Sequence, residues 1–191
     1  MSLPVDRRLS DKTAERPPTE IIKEMEQGNV PDKTEIIRDP SEAAKIARKC
    51  FENCEKEILI ILASQQVIER NLPLYEEMID SAIKKKIAIR VLVPAKNGEV
   101  ARFLEKVDWR AIDEMNVGYA IYDRKKMLIT QYSRSDDSGS LNRIQANIFT
   151  TNREHIAGIV SVFNALWKET ELREAAERSV PAVYGSPPNH A

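Results

Sequence analysis

The chain has 191 residues, a formal net charge of −1 and 31% charged residues. This is the size of one α/β domain with tails, and its charge balance gives no pull toward nucleic acid or an acidic membrane. The longest apolar run, Ile58 to Ala63, has strand length and falls well short of the ~20 residues that span a bilayer. Only two cysteines occur, Cys50 and Cys54, so no disulfide framework is expected and a reduced, cytoplasmic setting fits best.

Residues 1–33 read as a polar arm that is disordered through Pro17-Pro18, followed by a short helix from Thr19 to Gln27 that Gly28 and Pro31 end. The domain proper is expected over residues 34–178, with residues 179–191 as a flexible Pro-containing tail. Thr34 to Arg38 is a short extended entry. Asp39-Pro40-Ser41-Glu42 then starts a helix: Asp39 caps, Pro40 takes the first helical position and Glu42 closes a capping box. Ala43, Ala47, Cys50, Phe51 and Cys54 recur at helical spacing and predict one buried face that includes both cysteines. Glu57 to Ala63 is apolar on both faces, as in a central strand covered by helices.

A helix is predicted from Leu72 to Lys86, and Ile87 to Val93 is a second strand that Pro94 stops. Strand, helix and strand in this order imply parallel neighbours joined by a right-handed crossover. Asn97-Gly98 opens a shorter helix with Val100, Ala101, Leu104 and Val107 inward, and a short strand follows between Asp108 and Glu114. Val117–Tyr122 and Met127–Tyr132 form a hairpin turning at Asp123 to Lys126. Ser133 to Asn142 reads as a polar loop. Ile144 to Phe149 is a buried strand that runs into a helix launched by a Thr151/Glu154 capping box. Its apolar stripe is Ile156, Ile159, Val160, Phe163, Leu166 and Trp167, and its charged continuation runs from Glu169 to Arg178.

The chemical inventory removes most enzyme classes. Six glycines are scattered and form no phosphate loop. Two cysteines and two histidines make no four-ligand zinc cluster, and no cofactor or metal is expected. Cys50 and Cys54 are read as small core residues and His155 as a surface residue of the last helix's first turn. The Lys84-Lys85-Lys86 and Arg124-Lys125-Lys126 runs have no interleaved aromatics and are read as a solvated helix end and a hairpin tip.

The order of these elements resembles a family. It is carried by Thr34-Glu-Ile-Ile-Arg-Asp-Pro40, Glu57-Ile-Leu-Ile-Ile-Leu-Ala-Ser64, Ala82-Ile-Lys-Lys-Lys-Ile-Ala-Ile-Arg-Val-Leu-Val-Pro94, Tyr119-Ala-Ile-Tyr-Asp-Arg-Lys-Lys-Met-Leu-Ile129, Thr150-Thr-Asn152 and Phe163-Asn-Ala-Leu-Trp167. Together these resemble the phospholipase-D-like sensor domains upstream of kinase modules in archaeal signal-transduction histidine kinases. They are similar, more distantly, to the effector domain of sugar-responsive TrmB-type transcription regulators. The resemblance covers about residues 34–172 and implies an α/β fold with a mixed, mainly parallel sheet flanked by helices. Active members of the superfamily carry His-x-Lys-x-x-x-x-Asp, with His as nucleophile and Lys as phosphate ligand. If Asp123 ends that pattern, its first two positions hold Asn116 and Gly118, which can do neither. Asp123 alone then serves to shape a turn.

The expectation is a non-catalytic sensory or regulatory domain that binds a small effector or partner and relays through its last helix. Ser64, Gln65 and Gln66, at a strand's C-terminal end, and Asn116 and Tyr119, by the degenerate motif, are the candidate ligand contacts. A kinase or regulator module would receive the signal in cis or in trans. No phospho-acceptor histidine helix or ATP lid is present in the sequence itself. A structural module that forms a homodimer is the second reading, and a phosphodiesterase or nuclease the third.

Overall fold

A computed structural model of the chain describes residues 32–63, 65–94, 104–134 and 141–179. The expected N-terminal helix, the start of the helix at Asn97-Gly98 and the C-terminal tail lie outside these residues, as does Ser64.

Seven strands and three helices make up the described architecture. The strands are β1 (Thr34–Ile37), β2 (Glu57–Ile61), β3 (Ala88–Val93), β4 (Asp108–Ala111), β5 (Val117–Tyr122), β6 (Lys126–Arg134) and β7 (Leu141–Thr150). The helices are α1 (Pro40–Glu52), α2 (Gln65–Lys84) and α3 (Arg153–Ser179). All strands join one sheet in the order β1-β7-β6-β5-β2-β3-β4. The β2–α2–β3 unit is parallel as its sequence pattern implies, and β4 adds a further parallel edge strand. The remaining pairings, β2 with β5, β5 with β6, β6 with β7 and β7 with β1, are antiparallel. The sheet is therefore mixed and helix-flanked, but it is mainly antiparallel rather than mainly parallel. The balance comes from β5, β6 and β7, which follow one another in the chain and pair as antiparallel neighbours.

Both faces of β2 are buried, and they feed two separate cores. Ile58, Ile60 and Leu62 join α1 and α2 in one cluster, with Ile46, Phe51, Met78, Ile79 and Phe149. Leu59 and Ile61 join α3 in the other, with Ile121, Ile156, Val160 and Phe163. The period-2 alternation of a strand places successive residues in opposite layers.

Several boundaries differ from expectation, each for a local reason. Asp39 does cap α1, accepting from Ser41 N at 2.8 Å, while Glu42 pairs with Lys45 Nζ at 2.7 Å. The helix closes at Asn53, so Cys54 lies beyond it in the connection to β2, although both cysteines are buried. α2 starts at Gln65, not Leu72, and carries Pro73 inside it. A proline so placed normally argues against a helix. α2 ends at Lys84 because Lys86 turns left-handed at φ 61, with Lys86 N bonded to Ile83 O and Ile87 N to Ala82 O. That is a Schellman stop with lysine in place of glycine. The Ser133–Asn142 segment is not all loop, since β6 runs to Arg134 and β7 begins at Leu141. α3 is capped by Asn152, whose Oδ1 accepts from His155 N at 2.8 Å, and not by Thr151. Thr151 Oγ1 instead accepts from Lys33 N at 2.9 Å and so holds the start of β1.

α3 is docked further along its length than its charged sequence suggests. Phe163 and Trp167 stack with ring centroids 5.6 Å apart. The Arg90 guanidinium sits 5.3 Å from the Phe163 ring and Arg110 sits 5.0 Å from the Trp167 ring. Arg110 also lies 3.8 Å from Glu171 and from Glu174, and Arg173 donates to Ala111 O at 2.7 Å. Most of the Glu169–Arg178 segment expected to project from the domain is thus tied to β4 as far as Glu174. Among the described residues, no helix is long and apolar enough to cross a membrane.

Phe163 is fully buried between β3 and Trp167. Phe163→Ala is expected to cost about 3–5 kcal/mol through lost burial and the cavity left behind. Urea unfolding checks it, with the midpoint falling and the slope unchanged.

Candidate functional site

The three positions of the degenerate motif lie at opposite ends of β5, and the chain uses them differently. Asp123 follows β5 in a turn where it and Arg124 have φ of 50° and 55°, as in a type I′ hairpin. Aspartate tolerates this conformation, whereas arginine does so at a cost of about 1–2 kcal/mol. An ion pair from Arg124 to Glu57 helps to hold the turn.

The Asp123 carboxylate faces the α1–β2 connection. Its Oδ1 accepts from Lys56 N at 2.8 Å and Glu57 N at 3.1 Å, and its Oδ2 from Glu55 N at 2.9 Å. The Cys54 thiol donates to Oδ1 at 3.2 Å. Partial burial alone pushes the acid's pKa up, but the backbone N–H groups of Glu55, Glu57 and Lys56 outweigh it and leave the value below the ordinary one. Asp123 is therefore a clasp between the hairpin and the loop entering β2, which is more than turn shaping. A polar cleft beside it is lined by Arg124, Lys125, Lys126, Arg153, Glu55 and Asp32 among others. The thiols at its edge stay protonated at neutral pH: burial pushes Cys50 up to about 12, and burial with the Asp123 hydrogen bond pushes Cys54 up to about 11. Neither serves as a thiolate nucleophile or ligand in that state. Among the described residues, no group of three or more His, Cys, Asp or Glu side chains could hold a metal ion.

At the other end of β5, Asn116 is exposed and its carbonyl accepts from Tyr132 N at 2.8 Å. Gly118 sits under the sheet's closest neighbours. A Cβ there would stand 3.3 Å from Ile61 O and 3.7 Å from the Tyr132 ring. The first distance is tighter than ordinary contact, and the atom it meets is backbone. A side chain at this position needs the Ile61 carbonyl to give by a few tenths of an ångström.

Gly118 also lines a cavity of about 150 Å³ between α1, α2 and the sheet, at the C-terminal end of β2. Its roof is Ala43, Ala44, Ala47 and Phe51 of α1 with Leu74, Tyr75 and Met78 of α2. Its floor is Ile60 and Leu62 with Ala120, Tyr122, Leu128, Thr130, Tyr132, Ile144 and Asn147. The small side chains on α1 leave room that leucines would fill. Thr130 Oγ1 donates to Asn147 Oδ1 at 3.0 Å. Among the described residues, Asn147 Nδ2 and the Tyr122 hydroxyl are buried without a hydrogen-bond partner.

The candidate contacts read from sequence fall unevenly around this cavity. Gln65 is the first residue of α2, placed by the helix's early start. Ser64 lies outside the described residues, and of Gln66 only its place in α2 is described. Tyr119 borders the cavity, but its ring packs with the α3-side cluster on the sheet's other face. Asn116 stands just before β5, next to the cavity-lining strand. Sequence reasoning missed Tyr122, Thr130 and Asn147. For Asn147 the signal was available: it shares the inward face of β7 with Phe149, so alternation puts an amide in an apolar layer.

No family model matches the chain, and no curated protein matches it in sequence. Solved structures do match. TrmBL2, an archaeal chromatin protein with a novel mode of DNA binding, is 13% identical with a TM-score of 0.54, over 79% of this chain and 60% of its own. This chain therefore spans about three fifths of that protein's length. NucT from Helicobacter pylori is 15% identical with a TM-score of 0.55, over 72% of this chain and 97% of its own. Nuc from Salmonella typhimurium, a phospholipase D family member, is 8% identical with a TM-score of 0.52, over 72% of this chain and 95% of its own. The fold is phospholipase-D-like.

The clasp makes a pH-dependent prediction. Asp123→Asn keeps the size but sets an amide against three N–H donors, and is expected to cost about 2 kcal/mol at neutral pH, allowing for partial exposure. The folded pKa lies below the unfolded value of about 3.9, so the stabilisation is present above that value and is lost as pH falls through the folded one. Denaturant midpoints measured from pH 6 downward, a span chosen around that ~3.9, check it. The difference between wild type and Asp123→Asn is expected to shrink below about pH 4.

Proposed function

We propose that this chain is a non-catalytic regulatory module on a phospholipase-D-like scaffold, comparable to the effector domain of TrmB-type regulators, and that its apolar cavity receives a small effector. The observation that carries the reading is the state of the motif positions. Asn116 offers no nucleophilic imidazole, and Gly118 carries no side chain to bind phosphate as the lysine of active members does. Asp123, the one motif residue retained, spends its carboxylate on backbone N–H groups of the α1–β2 connection. The same scaffold region instead presents a half-open hollow of alanines, leucines and aromatic rings. Concave, mostly apolar sites with few polar groups are what small ligands occupy.

The output runs through α3. Because α3 packs on the face opposite the cavity, an effector acts on it through the strands between, chiefly β2 and β5, whose alternate residues touch both. The receiver is a DNA-binding or kinase module, in cis or in trans, and the histidine-kinase setting remains the finer form of the same proposal.

The test is a phosphodiesterase assay of the intact chain on bis(4-nitrophenyl) phosphate in EDTA. No release above the buffer rate is expected. Release that Asn116→Ala abolishes contradicts the non-catalytic reading.

A further inference from the structure

We propose that the second half of α3, from Leu166 on, is a latch on the sheet's edge that opens as a unit of its own, and that Arg110 of β4 is the residue that closes it. This rests on the reading of α3 as the output element and names how that output is held.

α3 is fixed to the sheet in two different ways. In its first half, Ile156, Val160 and Phe163 are buried in one cluster with Leu59, Ile61, Leu92 and Ile121. Packing of an apolar face is what holds most protein helices. Past Phe163 the stripe thins. Leu166 and Trp167 are half-buried at the margin of the same cluster. Beyond them no apolar side chain among the described residues is buried, and Leu172 is 63% exposed. Thr170 is buried, but its hydroxyl donates to Trp167 O at 2.7 Å, within the helix itself.

The contacts that tie the second half down converge on one side chain. The Arg110 guanidinium lies 5.0 Å from the Trp167 ring and 3.8 Å from both Glu171 and Glu174. Trp167 Nε1 donates to Glu171 Oε1 at 3.1 Å, which joins the ring and the acid into one group around the cation. Arg173 adds a bond at 2.7 Å to the carbonyl of Ala111, the residue next to Arg110. Arg90 also reaches Trp167, at 5.5 Å, but it sits over Phe163 and pairs with Glu57, so its place is set by the first half.

Such contacts give way before apolar packing does. Ion pairs at 3.8 Å between partly exposed groups contribute little and are screened by salt. Arg110 Nε is buried with no hydrogen-bond partner among the described residues, which offsets part of the gain from closing. The seat is slight as well. β4 is a four-residue strand at the sheet's edge, paired with β3, and none of its residues is buried. Segments with few buried apolar contacts open locally at a lower cost than the whole fold. The two kinds of anchorage meet between Phe163 and Leu166, so the first half stays seated when the second lifts.

Amide hydrogen exchange of the full chain, read residue by residue, tests this. Arg110→Ala is expected to speed exchange from Trp167 to Glu174 about ten-fold, the combined worth of one cation–π contact and two weak ion pairs. Amides from Ile159 to Phe163, and those of α1, should exchange as before. Raising sodium chloride to about 1 M on the unmodified chain should speed the same second-half amides and leave the first half unchanged. Simple fraying would give a gradient toward Ser179 that Arg110→Ala does not alter, and that result overturns the inference. Loosening of both halves together in Arg110→Ala also overturns it. The salt comparison needs no variant: a response that is absent, or equal in the two halves, overturns the inference even if Arg110→Ala fails to fold. Hydrolysis in the phosphodiesterase assay, by contrast, contradicts the non-catalytic reading and leaves the latch standing.

Discussion

A strand of five residues with two apolar faces is the constraint on which the rest of the molecule depends. β2 has to be paired on both edges and covered on both sides, because Leu59 and Ile61 are as deeply buried as Ile58 and Ile60. Each such side chain is worth roughly 1.5–3 kcal/mol of burial, so exposing either face would undo a large part of a typical domain's stability. The parallel partner comes through α2, which also roofs one core. The antiparallel partner, β5, brings the β6–β7 hairpins and, through them, β1. The two cores, and with them the two helical layers, are consequences of this one strand.

The two ends of β2 have different fates. At its start, the Asp123 carboxylate gathers three backbone N–H groups and a thiol and so closes the loop that enters β2. At its finish, small residues on α1 and the absence of a side chain at Gly118 leave an apolar hollow. α3 lies on the far side of the sheet and is held by aromatic stacking, two arginines and the Arg173 contact to Ala111. Nothing that enters the hollow touches α3 directly. A response must pass through the pleat of β2 and β5, where neighbouring residues face opposite layers.

Much of this was legible in the sequence, because periodicity is strong where burial is strong. The two-faced run at Ile58 to Leu62, the Asp39-Pro40 helix start and the Val117–Tyr132 hairpin follow from local rules that tertiary structure did not overrule. The failures were of other kinds. Pro73 masked the first two turns of α2, since a proline ordinarily marks a boundary. Asn152 competed with Thr151 for the same cap, and a strand contact from Lys33 decided between them. The antiparallel majority was hidden because a buried run looks alike in either direction. The cavity was least visible. It arises from what is missing on α1, where Ala43, Ala44 and Ala47 read as good helix formers, and from residues brought together from six elements. Only Asn147, an amide on an inward face, marked it in the sequence.

Amide hydrogen exchange across the full chain, with and without saturating toluene as a small apolar probe, tests most directly the claim that the emptied end of the scaffold is its binding end. Slower exchange is expected in α1, α2 and the stretches of β5 and β7 around Gly118 and Asn147, with the Asp123 hairpin unchanged. Protection confined to the Asp123–Lys126 turn, with α1 and α2 unaffected, would contradict it.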